Sequence, residues 1–250
     1  MLRAVIFDLD GTLYESRRFP LRLILSDPLH ISYLGAERKA RKQLRDRHFA
    51  SMHDYYEALF STMGKGSGKR ALKSREWFYS RYMPNQVRII RDSFGAREGV
   101  KGMLRQLRDR GYRIALLSDY SFVQEKLAAC GLSASDFDAV WESPALGGLK
   151  PLREVFLKAC EALCVQPGEA LMVGDKADTD GGALAAGLSF IRIASSEKSR
   201  ASSSPAELSP GPRFARPIEP LASATMLWSE FLRYCDSLPA LSARKVPINF

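Results

Sequence analysis

The chain has 250 residues, of which 46% are apolar and 26% are charged, and its formal net charge is +9. These values are typical of a globular protein that is long enough for one large domain, or for a domain with a smaller insertion. No apolar run reaches the roughly 20 residues that span a bilayer, and the four apolar residues before Asp8 are too few for a secretory signal. We therefore expect a cytoplasmic protein that has no membrane partner.

Short apolar runs alternate with helical patterns along most of the chain. The first run, residues 3–8, is rich in β-branched residues and ends at Asp-Leu-Asp-Gly. Further strands are predicted at residues 112–117, 139–141, 169–173 and 189–193, and helices at 100–110, 122–130, 152–163 and 183–186. This alternation predicts βαβ units, and so an α/β fold with a Rossmann-like, doubly wound parallel sheet.

Residues 15–96 depart from this alternation because they carry helical, aromatic-rich patterns and no convincing buried strand. We expect a smaller helical domain here, inserted into a discontinuous α/β core made of residues 1–14 and 97–250. Inside the insertion, the glycine-rich residues 64–69 lack the spacing and the preceding strand of a phosphate-binding P-loop, so they are predicted to form a loop.

The last part of the chain gives two further predictions. Residues 195–220 are rich in Ser and Pro, which is typical of an irregular loop. Residues 221–238 have the pattern of an amphipathic terminal helix. The side chains expected to pack from it are Met226, Leu227, Phe231 and Leu232.

Two other features have ordinary explanations. The densest charged run, residues 38–47, is most often a solvated helix face; attraction of phosphorylated substrates is the main alternative, and nucleic acid binding a weaker one. The four cysteines have no metal-ligand spacing and are expected to be reduced thiols.

Polar residues follow the ends of the predicted strands, at the edge where parallel α/β sheets bind ligands. Asp8 and Asp10 follow the first strand, with Gly11 for a tight turn and then Thr12. Two carboxylates at this spacing can act as nucleophile and proton donor if their environments separate their pKa values. Alone, Asp-x-Asp-Gly is also compatible with a surface turn, whereas a calcium loop is excluded because its later ligands are missing.

The later strand ends add a hydroxyl, a cation and further acids. Ser118 and the neighbouring Asp119 follow the second strand, where a hydroxyl and a backbone N–H can hold a phosphate oxygen. Lys150-Pro151 supplies a charge that neutralises phosphate, and Pro151 suits the first position of the next helix. Gly174-Asp175 is followed by Asp178 and Asp180, and clustered carboxylates of this kind suit Mg²⁺.

In this order the motifs resemble those of the haloacid dehalogenase-like hydrolases, over residues 1–14 and about 97–194. The resemblance implies that Asp8 is the nucleophile, that Asp10 protonates the leaving oxygen and then activates water, and that the insertion is the family's helical cap. It further implies two sets of binding residues. The transferring phosphoryl group would be held by Gly11, Thr12, Ser118, Asp119 and Lys150, and Mg²⁺ by Asp8, the backbone carbonyl of Asp10, Asp175 and Asp180.

One departure from the family pattern concerns the last motif. Gly181 alone separates Asp180 from Gly182, whereas family members commonly have two residues there. The shortening leaves open whether Asp178 or Asp180 is the second acid of the motif, and it ranks Asp175 above both.

The resemblance narrows the reaction without naming a substrate. Dehalogenases of the family lack the second aspartate, so Asp10 disfavours dehalogenation, and no imine-forming lysine points to a phosphonate hydrolase. We expect a Mg²⁺-dependent phosphatase acting on a small phosphorylated metabolite, with phosphoglycolate-like compounds among the possibilities. A phosphosugar mutase keeps the same motifs and stays open, as does a noncatalytic polyanion-binding module, although no nucleic-acid-binding motif supports the latter.

Overall fold

The computed structural model describes residues 1–196 and 223–241, and within them the chain forms a six-stranded parallel sheet covered by helices. The strands are β1 (Ala4–Phe7), β2 (Arg113–Ser118), β3 (Ala139–Glu142), β4 (Ala170–Gly174), β5 (Ser189–Ala194) and β6 (Ser223–Leu227). Their order across the sheet is β3-β2-β1-β4-β5-β6, and every neighbouring pair is parallel. The predicted doubly wound α/β fold is therefore confirmed.

The central strand β1 is apolar throughout because both faces of the sheet are covered. Successive side chains of a strand point to opposite faces, so Val5 and Phe7 enter one apolar cluster while Ala4 and Ile6 enter the other. All four residues are buried. The sheet thus carries a separate hydrophobic layer on each side.

Within residues 15–96, which follow β1, the chain forms five α-helices that have their own apolar cluster. They are α1 (Phe19–Ser26), α2 (Ile31–Leu44), α3 (Met52–Met63), α4 (Gly68–Trp77) and α5 (Met83–Ser93). The predicted loop at residues 64–69 is confirmed for residues 64–67, which connect α3 and α4, whereas residues 68 and 69 already begin α4. The segment that leads out of the α/β part and the segment that returns to it are adjacent, because Tyr14 and Ala96 form an antiparallel bridge.

Five more helices connect or follow the later strands: α6 (Val100–Asp109), α7 (Val123–Ala129), α8 (Arg153–Ala162), α9 (Ala183–Ala186) and α10 (Trp228–Ser237). The hydrophobic stripe predicted for α6, from Val100 to Leu107, is buried as expected. Helix α8 begins at Arg153, so Pro151 precedes the helix and does not occupy its first position. Among the described residues, no helix has the length and apolarity that crossing a membrane requires.

The prediction of one terminal helix over residues 221–238 is wrong in its first part. Residues 223–227 form β6, which pairs with β5 at the edge of the sheet, and only then does α10 begin. Met226 is buried as expected, but it packs from a strand. Without residues 223–227, the backbone groups at the edge of β5 would be unpaired. Pairing with this distant strand therefore decides the conformation of residues 223–227. The predicted irregular loop at residues 195–220 lies almost entirely outside the described residues.

Candidate active site

The strand register brings the predicted motifs to one edge of the sheet. Phe7 is aligned with Leu116 of β2 and with Val173 of β4, so Asp8, Ser118 and Asp175 follow at nearly the same level. The strand order reverses around β1 and β4, which is the usual position of a ligand site in an open α/β sheet.

Two glycines allow the carboxylates of the site to come close to the backbone. Gly11 has a φ of 93°, and a Cβ atom there would overlap the carboxylate of Asp175. A Cβ atom on Gly174 would overlap Asp180 in the same way. The side chains of Asp175 and Asp180 therefore pack directly against the turn after β1 and the last residue of β4, respectively.

Lys150 links two of the acids at the bottom of the site. Its Nζ donates to Asp8 Oδ1 at 2.7 Å, to Asp180 Oδ1 at 2.6 Å and to the carbonyl of Leu117 at 3.1 Å. The lysine side chain is only 2% exposed. Burial alone would lower the pKa of Lys150, but Asp180 and Asp8 raise it well above its ordinary value. The lysine is therefore a permanent cation beside Asp8.

One oxygen of Asp175 lacks a partner. Its Oδ1 is buried and accepts no hydrogen bond from the described residues, and oxygens of Asp8, Asp175 and Asp180 all lie within 4.8 Å of one another. Burial and the charge of Asp8 raise the pKa of Asp175 to about 6. Burial also raises the pKa of Asp180 to about 7, although Lys150 opposes this shift. Three crowded carboxylates and an orphan oxygen fit a hard divalent cation such as Mg²⁺.

Asp10 occupies a separate environment from these three acids. Lys126 Nζ lies 3.2 Å from Asp10 Oδ1, and the Tyr14 hydroxyl donates to the same oxygen at 2.5 Å. Ser118 Oγ lies 3.5 Å from the other carboxylate oxygen. Burial alone would raise the pKa of Asp10, but Lys126 and Tyr14 hold it below its ordinary value. The side chain of Asp10 thus does not belong to the metal-type cluster; the resemblance assigns only its backbone carbonyl to the metal.

The other predicted site residues support this arrangement. The Thr12 hydroxyl donates to Asp8 Oδ2 at 3.2 Å, and Asp119 Oδ1 accepts the backbone N–H of Lys150 at 3.0 Å. Asp180 is buried within the cluster, whereas Asp178 is largely exposed and pairs with Arg45 at 3.1 Å. Of the two acids left open by the sequence, the structure brings Asp180 to Asp8.

A cavity of about 270 Å³ opens above these residues, and α2 forms its opposite wall. We call the side made by Asp8, Asp10, Lys150, Asp175 and Asp180 the carboxylate floor. The side made by Arg38, Arg41, Lys42 and Arg45 is the cationic face of α2. The dense charged run of the sequence therefore includes a face that lines the site, in addition to solvated residues.

Sequence reasoning did not find several residues that order the site. Lys126 is fully buried and holds Asp10. The sequence did contain an indication of this role, because Lys126 lies between the apolar residues Val123 and Leu127 on the buried stripe of α7. Arg97 donates to the carbonyls of Gly11 and Thr12, which holds the turn after β1; nothing local in the sequence indicated that contact.

The fold and the site together define a class of hydrolase. The chain belongs to the haloacid dehalogenase-like hydrolase family, whose pattern it matches over residues 2–187. It is 33% identical to an N-acylneuraminate-9-phosphatase of Mus musculus over 75% of this chain and 80% of that protein. It is 28% identical to a glyceraldehyde 3-phosphate phosphatase of Methanopyrus kandleri over 77% of this chain and 84% of that protein. A phosphatase of this family from Thermococcus onnurineus has the same fold, with a TM-score of 0.57 at 22% identity over 96% of this chain and all of that one.

Proposed function

We propose that the chain is a Mg²⁺-dependent phosphatase that hydrolyses a small phosphomonoester through an aspartyl-phosphate on Asp8. The observation that carries the proposal is the position of Asp8, whose carboxylate is paired with Lys150 and lies beside the orphan oxygen of Asp175. The two curated relatives described above are both named phosphatases, which supports this reaction over the other chemistries of the family.

In the first step a carboxylate oxygen of Asp8 attacks phosphorus, and the bond between phosphorus and the leaving oxygen breaks. Lys150 stays beside Asp8 and stabilises the negative charge on the transferring group. Mg²⁺, held by Asp8, Asp175, Asp180 and the carbonyl of Asp10, would supply the remaining positive charge. Thr12, which donates to Asp8, fixes the orientation of the nucleophile.

Asp10 supplies and then removes the proton. The incoming phosphoryl group brings negative charge next to Asp10, which raises its pKa and favours the protonated acid that the leaving oxygen needs. In the second step water attacks the aspartyl-phosphate, Asp10 accepts its proton, and the bond from phosphorus to Asp8 breaks. Tyr14 and Lys126 hold Asp10 in place through both steps.

The helices of residues 15–96 act in this proposal as a cap over the carboxylate floor. Helix α2 already contacts the core, since Arg41 Nη1 donates to the carbonyl of Asp119 at 2.6 Å. A cap in this position excludes water and selects the substrate's leaving group.

The test is phosphate release from a panel of phosphomonoesters with Mg²⁺ and with EDTA. We expect hydrolysis that requires Mg²⁺ and disappears in Asp8→Asn, while Asp109→Asn, which changes an exposed aspartate on α6, behaves as wild type. Phosphate release that survives Asp8→Asn would exclude the mechanism. Isomerised sugar phosphate without net phosphate release would indicate a mutase, and salt-sensitive polyanion binding without turnover would indicate a binding module.

A further inference from the structure

The cationic face of α2 presents four positive side chains to the site. Arg38, Arg41, Lys42 and Arg45 are spaced at i, i+3, i+4 and i+7, which places them on one side of a helix. At a rise of about 1.5 Å per residue, the face extends roughly 10 Å along the helix axis. All four line the same cavity as Asp8, so a ligand that is bound at Asp8 and is long enough to cross the cavity reaches this face.

Two of the four cations already have structural partners. Arg41 donates to Glu37 at 2.6 and 2.8 Å, and its guanidinium lies 4.4 Å from the centroid of the Tyr120 ring. Arg45 pairs with Asp178. These contacts lie within α2 and between α2 and the core. They occupy most of the donors of the two side chains, so few remain for a ligand.

Arg38 and Lys42 are different, since neither forms an ion pair or a side-chain hydrogen bond with any residue of the described ranges 1–196 and 223–241. Both side chains are exposed at the rim while lining the cavity. They are one helical turn apart, so an anion between them could be held by both. An Arg and a Lys also combine a planar fork of donors with a point charge, which suits a carboxylate or a phosphate oxygen.

The carboxylate floor does not need these two charges for the reaction. Lys150 and the divalent cation that the acids fit already face the transferring phosphoryl group. A neutral leaving group would leave Arg38 and Lys42, side by side at the rim of the cavity, without an ion-pair partner among the described residues. An anionic leaving group would neutralise both.

We infer that the substrate carries a second anionic group on its leaving-group side, a carboxylate or a second phosphate, and that Arg38 and Lys42 bind it. The inference rests on the proposed function, which it narrows from small phosphomonoesters to those with two anionic ends. Arg38 and Lys42 are specificity-determining residues and take no part in the chemistry at phosphorus.

The test uses pairs of phosphomonoesters in which one member carries a second anionic group and the other a neutral alcohol in its place. 3-Phosphoglycerate and glycerol 3-phosphate share a carbon skeleton and differ by a carboxylate in place of a hydroxymethyl group. Fructose 1,6-bisphosphate and fructose 6-phosphate form the corresponding phosphate pair. We expect kcat/KM to favour the anionic member of at least one pair by about tenfold, a typical effect of one charge-assisted contact, and the pair that shows it identifies the group. Added salt should reduce the preference.

The double variant Arg38→Gln/Lys42→Gln should lower this preference by about tenfold through KM, because Gln keeps the length and helix propensity but removes the charge. The matched control is Lys39→Gln, which removes one charge from the same helix at an exposed residue outside the cavity. The single variant Arg38→Lys, which keeps a cation at this position, should retain more of the preference than the double variant does.

Hydrolysis without preference in both pairs, or a preference that Lys39→Gln lowers as much as the double variant does, would overturn the inference while leaving the proposed function intact. Failure to hydrolyse any phosphomonoester would instead remove the proposed function. In that case titration calorimetry on the same proteins and compounds decides: tighter binding of the anionic members that depends on Arg38 and Lys42 supports a dianion site, and equal binding or none overturns it.

Discussion

The charged side chains on the two sides of the cavity differ in their burial and in their partners. On the carboxylate floor, each charged side chain is buried or partly buried and faces a named partner or the cation that the cluster fits, as with the buried Asp8, Lys150 and Asp180. On the cationic face of α2, Arg38 and Lys42 are exposed and face the cavity. Substitutions in a buried network are destabilising because each lost partner leaves a buried charge without compensation. Substitutions of exposed charges change the stability little. We therefore expect the chemistry to depend on the floor and substrate selection to depend on α2.

The largest effect should come from removing the central cation of the floor. Lys150→Met leaves Asp8 and Asp180 buried without their counter-charge, and breaking a buried pair in this way costs about 3–5 kcal/mol. We expect that loss in the free energy of unfolding from chemical denaturation at pH 8, together with loss of turnover. Lys69→Met, at an exposed position on α4, should change stability by less than about 0.5 kcal/mol. Equal losses in both variants would contradict a preorganised floor.

A second test moves one carboxylate without removing a charge. Gly174→Ala places a methyl group where Asp180 packs, so Asp180 must leave the position in which it accepts from Lys150. A displacement of this kind costs about 100-fold in kcat/KM. The control is Gly102→Ala, in α6 with no atom within 4 Å of the added methyl group, which should stabilise the helix by about 0.5–1 kcal/mol. Wild-type activity in Gly174→Ala would show that the position of Asp180 is unimportant.

The third test uses the raised pKa values of the floor. In the metal-free protein, the pKa of Asp175 is about 6 and that of Asp180 about 7, both above the ordinary value of 3.8. Protonation of these groups therefore stabilises the fold fully below about pH 4, and this contribution is lost as pH rises through about 6 to 7. A bound cation replaces the protons, so stabilisation by Mg²⁺ should be small at pH 5.5 and large at pH 8.

This stabilisation is measured as the difference in Tm between Mg²⁺ and EDTA at the two pH values. At a Mg²⁺ concentration one hundred times Kd, binding raises the free energy of unfolding by about 2.7 kcal/mol. Asp175→Asn should reduce the difference at pH 8, while Asp109→Asn should leave it unchanged. A Tm difference that is the same at both pH values would argue against these carboxylates as the metal ligands.

The same contrast explains what the sequence could and could not predict. Much of the floor was predictable because Asp8 and Asp175 each follow an apolar run, and parallel strands end at one edge. The contact of Lys126 with Asp10 was not, since it joins residues 116 positions apart. Strand β6 was missed because its conformation depends on pairing with β5. The charged run at residues 38–47 was visible, but tertiary packing alone decides that Arg38 and Lys42 line the site.

The smallest effect is expected where the two sides of the cavity touch. Asp178 and Asp180 are two residues apart, yet the Asp178 side chain is 68% exposed and pairs only with Arg45, at 3.1 Å, within the described ranges. Exposed pairs contribute about 0–1 kcal/mol because solvent screens them. Asp178→Asn should therefore change kcat/KM by about twofold or less, whereas Asp180→Asn, which removes a charge from the buried cluster, should lower it by about 100-fold. Steady-state kinetics of the two variants show which of Asp178 and Asp180 is the second acid of the motif. A larger loss in Asp178→Asn would make Asp178 the second acid of the motif and would place part of the chemistry on the side of α2.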